Sequence, residues 1–319
     1  MKKKKVLVTV TNYSKYCGEG KKILEDGGCE IIENRKGRPL SADELKTIIG
    51  EVDGVVAGVD TWNDEIFSHA PNLKAIARFG VGVDNIDLQG AKRHGIVVCN
   101  SPGINSSAVA EQTIALMLSL VRAVPRLNSS IRKGEWQRPM FHEMRSRTVG
   151  LLGFGAIARN VAVRLRGFSP RVIAYDKYPD VERAKSLGVE MVSLEQIFEL
   201  SDIISIHLPA TEETHHLICR GNIKKMKDGV LIVNTARGNI VNENDLAEAL
   251  QNGKIGGMGT DVFETEPVDL KSQLFRFDNY IATPHVSAET FENCEETSIV
   301  TARAVMDVFT GKEPENRLI

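Results

Sequence analysis

The stretch Val149-Gly150-Leu151-Leu152-Gly153-Phe154-Gly155-Ala156-Ile157-Ala158 decides the fold of this chain. An apolar run ends in closely spaced glycines, and apolar residues continue beyond them at helical spacing. This order predicts a strand, a tight turn and a helix, in which Gly153 permits the turn, Gly155 lets a pyrophosphate approach the backbone and Ala158 allows close packing. The helix N-terminus at Ala156 and Ile157 would then offer amide donors to the phosphates.

An acidic residue, Asp176, follows the next predicted strand, residues 172–175. A carboxylate at this position accepts hydrogen bonds from both adenosine ribose hydroxyls and repels a 2′-phosphate. Lys177 beside it weakens that repulsion. We therefore expect a dinucleotide site that takes NAD as cofactor in preference to NADP.

Apolar runs alternate with segments of helical spacing along the whole chain, which is typical of parallel strands joined by crossover helices. In the first hundred residues we expect strands at residues 6–10, 54–57, 75–77 and 96–99. In the second series we expect strands at residues 149–152, 172–175, 203–207, 230–234 and 256–261. Ser41 and Glu44 form a capping box that opens a helix toward Ile49. The predicted fold class is α/β, with two Rossmann- or flavodoxin-like domains built on parallel sheets.

Two further segments fall outside this alternation. Apolar residues at three- and four-residue steps predict one long amphipathic helix from Ser107 to about Val121. Residues 131–147 are polar, basic and aromatic without a clear period, so we expect a loop or arm there. The last thirty residues are helical in pattern, but local pattern does not say where they pack.

Composition excludes several classes of function. The chain has 319 residues, 40 of them basic and 42 acidic, so it gives no electrostatic reason to expect nucleic acid or a membrane surface. No apolar run is long enough for a membrane span, and the run at residues 6–10 is too short for a signal peptide. Five scattered cysteines without metal-ligand spacing are typical of reduced thiols. We expect a cytoplasmic protein that acts on a small molecule and carries no metal.

Three segments of the second half carry groups suited to hydride transfer: residues 234–238, 261–267 and 283–285. Each is predicted to follow a strand, where open α/β sheets place their ligands. Reduction of a 2-keto acid requires a cation to hold the carboxylate and polarise the carbonyl, and an acid to protonate the new alkoxide. Arg237 and His285 supply these groups, and Glu266 would fix the imidazole tautomer and favour its protonated form. Singly, each is more often an ordinary surface residue, so the joint occurrence carries the prediction.

The sequence resembles the D-isomer-specific 2-hydroxyacid dehydrogenase family, and within it the phosphoglycerate dehydrogenase-like branch. The motifs that carry the resemblance run in order along nearly the whole chain: residues 78–87 (RFGVGVDNID), residues 100–103 (NSPG), residues 108–111 (AVAE), the glycine motif, residues 207–209 (HLP), and the Arg237, Glu266 and His285 segments.

The resemblance implies an NAD-dependent dehydrogenase with its active site in an interdomain cleft. It implies a discontinuous substrate-binding domain of residues 1–101 and 287–319 and an NAD-binding Rossmann domain of residues 102–286. It also implies a homodimer joined through residues 107–147.

The same resemblance assigns individual residues. Backbone amides of Val81 and Gly82, with Arg78 nearby, would bind the substrate carboxylate, and Asp261 would hold the nicotinamide amide. The other residues expected to line the cofactor are His207, Leu208, Pro209, Thr235, Ala236 and Arg237, and His285 would face both cofactor and substrate.

Three departures bear on the substrate. Residues 58–62 lack the arginine that helps phosphoglycerate dehydrogenases hold the phosphate, so a phosphate would meet Asp60 there, although Arg78 or Arg138 remain as alternative cations. The chain ends at Ile319 without the regulatory domain of some of those enzymes. Ser287 and Ala288 replace the usual glycine pair after the histidine, which reshapes the pocket edge. The particular acid, phosphorylated or not, is left open.

A nucleotide-sensing regulator or corepressor is the rival prediction, because some relatives keep this fold and act through protein partners. Turnover would discriminate between the two. Formate dehydrogenase is also similar, but it has an amide where this chain has Glu266.

Overall fold

The computed structural model describes residues 3–11 and 13–319. Within these residues the strands are β1 (Lys5–Val8), β2 (Glu30–Glu33), β3 (Gly54–Ala57), β4 (Ala75–Arg78), β5 (Val97–Cys99), β6 (Thr148–Leu152), β7 (Arg171–Tyr175), β8 (Glu190–Met191), β9 (Ile203–Ile206), β10 (Val230–Asn234), β11 (Ile255–Thr260) and β12 (Tyr280–Ala282).

The α-helices of the same residues are α1 (Tyr13–Tyr16), α2 (Gly18–Asp26), α3 (Ala42–Ile49), α4 (Asp64–Ser68), α5 (Leu88–Arg93), α6 (Ser106–Val121), α7 (Val124–Arg132), α8 (Ala156–Leu165), α9 (Val181–Ser186), α10 (Leu194–Leu200), α11 (Arg220–Ile223), α12 (Glu243–Gln251) and α13 (Phe291–Phe309). Short 3₁₀ helices lie at Met144–Ser146, Arg166–Phe168, Gly238–Ile240 and Gln273–Arg276.

The chain divides into two compact units, a first unit of Met1–Asn105 with Glu289–Ile319 and a second unit of Ser106–Ala288. The family resemblance implies divisions after residues 101 and 286. All ladders within each sheet are parallel. The predicted α/β class with two parallel sheets is confirmed.

The first unit has the strand order β2-β1-β3-β4-β5. Its strands are short and β-branched, and helices cover both faces: α3, α4 and α5 pack on one, and α1, α2 and α13 on the other. The predicted capping box at Ser41 and Glu44 is present. The C-terminal helix α13 packs against α2 and β3, where Gly20 and Gly54 have no side chain to keep it away.

The second unit has the strand order β12-β11-β10-β9-β6-β7-β8. The order reverses between β6 and β9, and such a reversal is where open α/β sheets bind ligands at the carboxyl ends of their strands. Helix α6 lies so close to β11 that a Cβ atom added at Gly257 or Gly259 would be 3.1 Å from a leucine of α6. The glycines of β11 thus allow this helix to pack closely on the strand.

The predicted loop over residues 131–147 is wrong at its start, because helix α7 runs to Arg132. This helix begins after Ala123, whose left-handed backbone (φ 47°) turns the chain, and has proline in its first turn, where the missing amide costs nothing. The strands β2 and β8 were not predicted, since β2 has only two apolar residues and β8 has two residues in all.

Among the described residues, no single helix is long and apolar enough to cross a membrane. Only α6 and α7 taken together, bent by 58°, reach that length and composition.

Candidate functional site

The glycine turn between β6 and α8 has the geometry that a bound pyrophosphate needs. Gly153 has φ 94°, and a Cβ atom there would lie 2.8 Å from the carbonyl oxygen of His207, so only glycine fits. The equivalent position on Gly155 faces open space, with no heavy atom within 4 Å. Helix α8 begins at Ala156 and continues through Ile157, so its first amides lie beside this open space.

Asp176 lies directly after β7 and is fixed by two backbone amides. Its Oδ2 atom accepts a hydrogen bond from Phe154 N at 2.7 Å, and its Oδ1 atom accepts one from Tyr178 N at 2.8 Å. The first bond joins the carboxylate to the glycine turn itself. Each oxygen keeps a second lone pair, so the carboxylate can also accept from ribose hydroxyls.

The segment after β9 lines the other side of the strand-order reversal. The amide of His207 donates to Leu152 O at 2.7 Å, which ties this segment to β6. The His207 ring lies 2.9 Å from Ser205 Oγ, and burial lowers the pKa of His207 to about 3, so the ring is neutral at physiological pH. Pro209, two residues further on, is exposed.

The loop after β10 presents Thr235, Ala236 and Arg237, and the buried Asn234 shapes it. Asn234 Oδ1 accepts the Ala236 amide at 3.0 Å, and Asn234 Nδ2 donates to Arg237 O at 2.9 Å. Next to it, a Cβ atom on Gly238 would lie 1.9 Å from the backbone of Phe263, so glycine is required where this loop meets the one that carries Glu266.

Glu266 and His285 form a hydrogen-bonded pair, with His285 Nδ1 2.7 Å from Glu266 Oε2. This bond, opposed by burial, raises the pKa of His285 above its ordinary value, and the charge of Arg237 acts in the lowering direction. Burial opposes ionisation of Glu266, but the bonds from His285 and Phe263 N outweigh it and lower the pKa of Glu266. Arg237 also lowers that pKa, so the three predicted groups act on one another electrostatically.

Asp261, 1% exposed, lies at the end of β11 with its carboxylate turned to the loop that carries His285. Thr283 Oγ1, Val286 N, Ser287 N and Ser287 Oγ all donate to it. Its accepting capacity is therefore taken up by the histidine loop and not left for a nicotinamide amide, which corrects the expected role of Asp261. The sequence offered no signal of this arrangement.

Arg78, Val81 and Gly82 belong to the first unit, in and after β4. Asn100 Nδ2 donates to Val81 O at 2.9 Å and the Ser101 amide donates to Gly80 O at 2.9 Å, so the loop is held in place from β5. Within the described chain, the amides of Val81 and Gly82 donate no hydrogen bond, which leaves two adjacent donors for an anion.

The expectation that a substrate phosphate would meet Asp60 is wrong. Asp60 is 2% exposed, and its Oδ1 atom accepts the Leu40 amide at 2.6 Å. The carboxylate therefore makes an internal hydrogen bond of the first unit and does not face a ligand. Among the described residues, no group of three or more His, Cys, Asp or Glu side chains is arranged to hold a metal ion.

Comparison with known proteins decides the family. Residues 114–287 match the model of the D-isomer specific 2-hydroxyacid dehydrogenase NAD binding domain. This chain belongs to the D-isomer specific 2-hydroxyacid dehydrogenase family. The resemblance seen in the sequence motifs is thereby confirmed.

Three similar proteins place the chain within the family. It is 39% identical to a D-3-phosphoglycerate dehydrogenase of Archaeoglobus fulgidus over 87% of this chain and 53% of the relative. It is 44% identical to a hydroxypyruvate reductase of Thermotoga maritima, over 79% of this chain and 83% of that protein. The structure of the TT0316 protein of Thermus thermophilus matches with a TM-score of 0.91 and 33% identity, over 99% of this chain and all of that one. The chain thus spans about half the length of the phosphoglycerate dehydrogenase relative.

Proposed function

We propose that this protein is an NAD-dependent D-2-hydroxyacid dehydrogenase, which transfers a hydride between NAD(H) and a small 2-hydroxy or 2-keto acid. The observation that carries the proposal is the His285–Glu266 pair with Arg237 beside it, on the same sheet as the β6–α8 glycine turn. An acid with a raised pKa, a cation and a dinucleotide turn are together the groups that reduction of a 2-keto acid requires.

The residues of the second unit fit a dinucleotide. Gly155 leaves open space in front of the first amides of α8 for the pyrophosphate, and Asp176 is fixed where it can accept the ribose hydroxyls. The bound cofactor supplies the hydride and its electron pair from the nicotinamide ring. We assign the lining of the nicotinamide half to Thr235, Ala236 and the segment from His207 to Pro209.

The chain's own groups would then bind the acid and move the proton. In the second unit, Arg237 is proposed to bind the carboxylate and polarise the carbonyl. In the first unit, the amides of Val81 and Gly82 and the nearby Arg78 are proposed as substrate ligands. Nδ1 of His285 is engaged with Glu266, so Nε2 carries the proton that passes to the carbonyl oxygen as the hydride reaches carbon. In the reverse direction the neutral imidazole accepts that proton.

A preference for NAD over NADP is supported by the surroundings of Asp176. Lys177, the next residue in sequence, is the cation closest to Asp176 along the chain. Its Nζ atom lies 2.8 Å from Oε1 and 2.6 Å from Oε2 of Glu213. A paired lysine offers less attraction to a 2′-phosphate, and Asp176 repels it.

The proposed substrate is a three-carbon 2-keto acid with an oxygen substituent at C3. Support comes from the names of the two relatives, phosphoglycerate dehydrogenase and hydroxypyruvate reductase, which refer to acids of this type. Because Asp60 is buried, its carboxylate would not meet the phosphate of a phosphorylated acid, and such a substrate is not disfavoured by it. Arg78 and Arg138 stay the alternative cations for a phosphate.

The direct test is oxidation of NADH against glyoxylate, hydroxypyruvate, 3-phosphohydroxypyruvate and 2-ketoisocaproate, with NADPH in parallel. Turnover of hydroxypyruvate or its phosphate supports the proposal, and turnover of another acid alone changes the substrate but keeps the reaction. Tight NADH binding without turnover of any of them would favour the regulatory role instead.

We further propose that the first unit binds substrate, that the second binds NAD, and that the protein is a cytoplasmic homodimer joined through residues 107–147. Trp136 and Met140 are 81% and 94% exposed, so this segment offers two large apolar side chains that a partner chain would cover. A Trp136→Ser, Met140→Ser double variant should then have the mass of one chain in light scattering. An unchanged mass of two chains would count against this surface.

A further inference from the structure

The loop from Thr283 to Ser287 is folded around a single buried carboxylate. Asp261 Oδ1 accepts from Thr283 Oγ1 at 2.5 Å and from Val286 N at 3.0 Å. Asp261 Oδ2 accepts from Ser287 N at 2.8 Å and from Ser287 Oγ at 2.5 Å. Two hydroxyls and two amides from one five-residue segment therefore converge on one side chain.

These four bonds use the whole accepting capacity of the carboxylate, which is about four lone pairs. Asp261 and Ser287 are 1% and 6% exposed, so water does not compete for these contacts. A buried carboxylate is stable when it is fully hydrogen-bonded, and bonds to a charged acceptor are the strong ones. Asp261 is thus an anchor for the loop.

The residue that this loop presents, His285, has a left-handed backbone with φ 54°. A residue other than glycine keeps that conformation only where the surrounding contacts hold it. Among residues 3–11 and 13–319, the His285 backbone makes one hydrogen bond, from its amide to Thr283 O at 3.0 Å. The residues on both sides of it, Thr283 and Val286–Ser287, are the ones bound to Asp261.

A second support reaches the same carboxylate from helix α6. Gln112 Nε2 donates to Thr283 Oγ1 at 3.2 Å, and Thr283 Oγ1 donates onward to Asp261. The Thr283 hydroxyl is thereby oriented from the helix. The Ser287 hydroxyl is the donor that a change to glycine or alanine would remove without altering the backbone amides.

We propose that Ser287 is a positioning residue: through Asp261, its hydroxyl holds the left-handed His285 with Nδ1 on Glu266. The role assigned to the imidazole rests on the proposed function, but the positioning can be measured without it. Loss of the hydroxyl frees one acceptor site on Asp261 and lets the loop depart from the His285–Glu266 contact. We then expect the imidazole of His285 to be hydrogen-bonded to Glu266 for a smaller fraction of the time.

The charged groups that act on His285 fix the direction of the measurable change. The bond to Glu266 raises the pKa of His285 most, and burial lowers it. The charges of Glu266 and Asp261 raise it further, and that of Arg237 lowers it. A looser loop weakens the leading contribution, so the pKa of His285 falls toward its ordinary value.

The test compares Ser287→Ala with wild type and with Ser298→Ala as control. Ser298 is also buried, but its hydroxyl donates to the carbonyl of Glu295 in helix α13 of the first unit. NMR titration of the imidazoles, with the His285 signal assigned from a His285→Gln variant, should give a lower pKa in Ser287→Ala only. Turnover should fall about tenfold in kcat, the size of one hydrogen bond to a charged group, with NADH affinity unchanged.

An unmoved His285 titration together with an unmoved kcat would overturn the proposal. If Ser287→Ala proves unfolded by circular dichroism, Thr283→Val removes the other hydroxyl from the same carboxylate and should give the same two changes. If the wild type reduces no 2-keto acid, the proposed function fails, and the imidazole titration still decides the role of Ser287.

Discussion

The Nδ1 atom of His285 lies 2.7 Å from Oε2 of Glu266, and the second oxygen of Glu266 accepts the Phe263 amide at 3.0 Å. The carboxylate is therefore fixed by the backbone on one side and directed at the imidazole on the other. This relationship assigns different tasks to the two ring nitrogens, with Nδ1 held and Nε2 left to exchange protons.

Glu266→Gln should shift the pH profile of reduction to lower pH. Reduction uses the protonated imidazole, so kcat has a plateau below the pKa of His285 and falls as pH rises through it. The bond to Glu266 raises that pKa, and an amide loses the charge that favours the protonated form. The profile of kcat against pH checks this, and oxidation should show the opposite limb. An unshifted profile would contradict the pairing.

His285→Ala should lose turnover while it keeps the cofactor. General acid catalysis contributes about 10²-fold to 10⁴-fold, so kcat should fall by that amount with the dissociation constant of NADH little changed. His69→Ala, a change at an exposed histidine of the first unit, is the control and should leave both quantities as in wild type. Undiminished turnover by His285→Ala would remove it from the role of acid.

Arg237→Lys should separate the shape of the cation from its charge. The guanidinium binds a carboxylate through two parallel bonds, and the ammonium cannot reproduce that geometry. We expect kcat/KM to fall by ~10-fold to ~100-fold in the lysine variant, the loss of about one or two charged hydrogen bonds, and further in Arg237→Ala. Steady-state kinetics with the best 2-keto acid measure both. Equal activity of the two variants would show that a positive charge without the guanidinium contributes nothing at this position.

The sequence predicts local features well and long-range contacts poorly. The strand, turn and helix around Gly153 follow from neighbouring residues, as does the capping box at Ser41. The place of α13 depends on glycines that lie hundreds of residues away in sequence, and the internal role of Asp60 depends on its bond to Leu40. The convergence of the His285 loop on Asp261 is likewise visible only once β11 and β12 are paired.

Asp176→Ser should relax the preference for NAD. The substitution removes the carboxylate that repels a 2′-phosphate, so the ratio of kcat/KM for NADH to that for NADPH should fall by roughly tenfold or more. Adding Glu213→Gln releases Lys177 from its partner and should lower the ratio further. Glu213→Gln alone tests the ion pair between Lys177 and Glu213. If this variant uses NADPH at the wild-type rate, the ion pair has no part in the preference for NADH.

Two alanine substitutions in the glycine turn should separate stability from cofactor binding. A Cβ atom on Gly153 meets the His207 backbone at 2.8 Å in a positive-φ conformation. Gly153→Ala should therefore lower the free energy of unfolding by about 1 to 3 kcal/mol, and with it the thermal midpoint. A Cβ atom on Gly155 meets nothing within 4 Å, so Gly155→Ala should lower the thermal midpoint less than Gly153→Ala, by the small cost of alanine at the N-cap of α8. It should nevertheless bind NADH more weakly, because the methyl group occupies the space assigned to the pyrophosphate. Calorimetry with and without NADH reads both effects, and a Gly155→Ala protein with wild-type NADH affinity would place the pyrophosphate elsewhere.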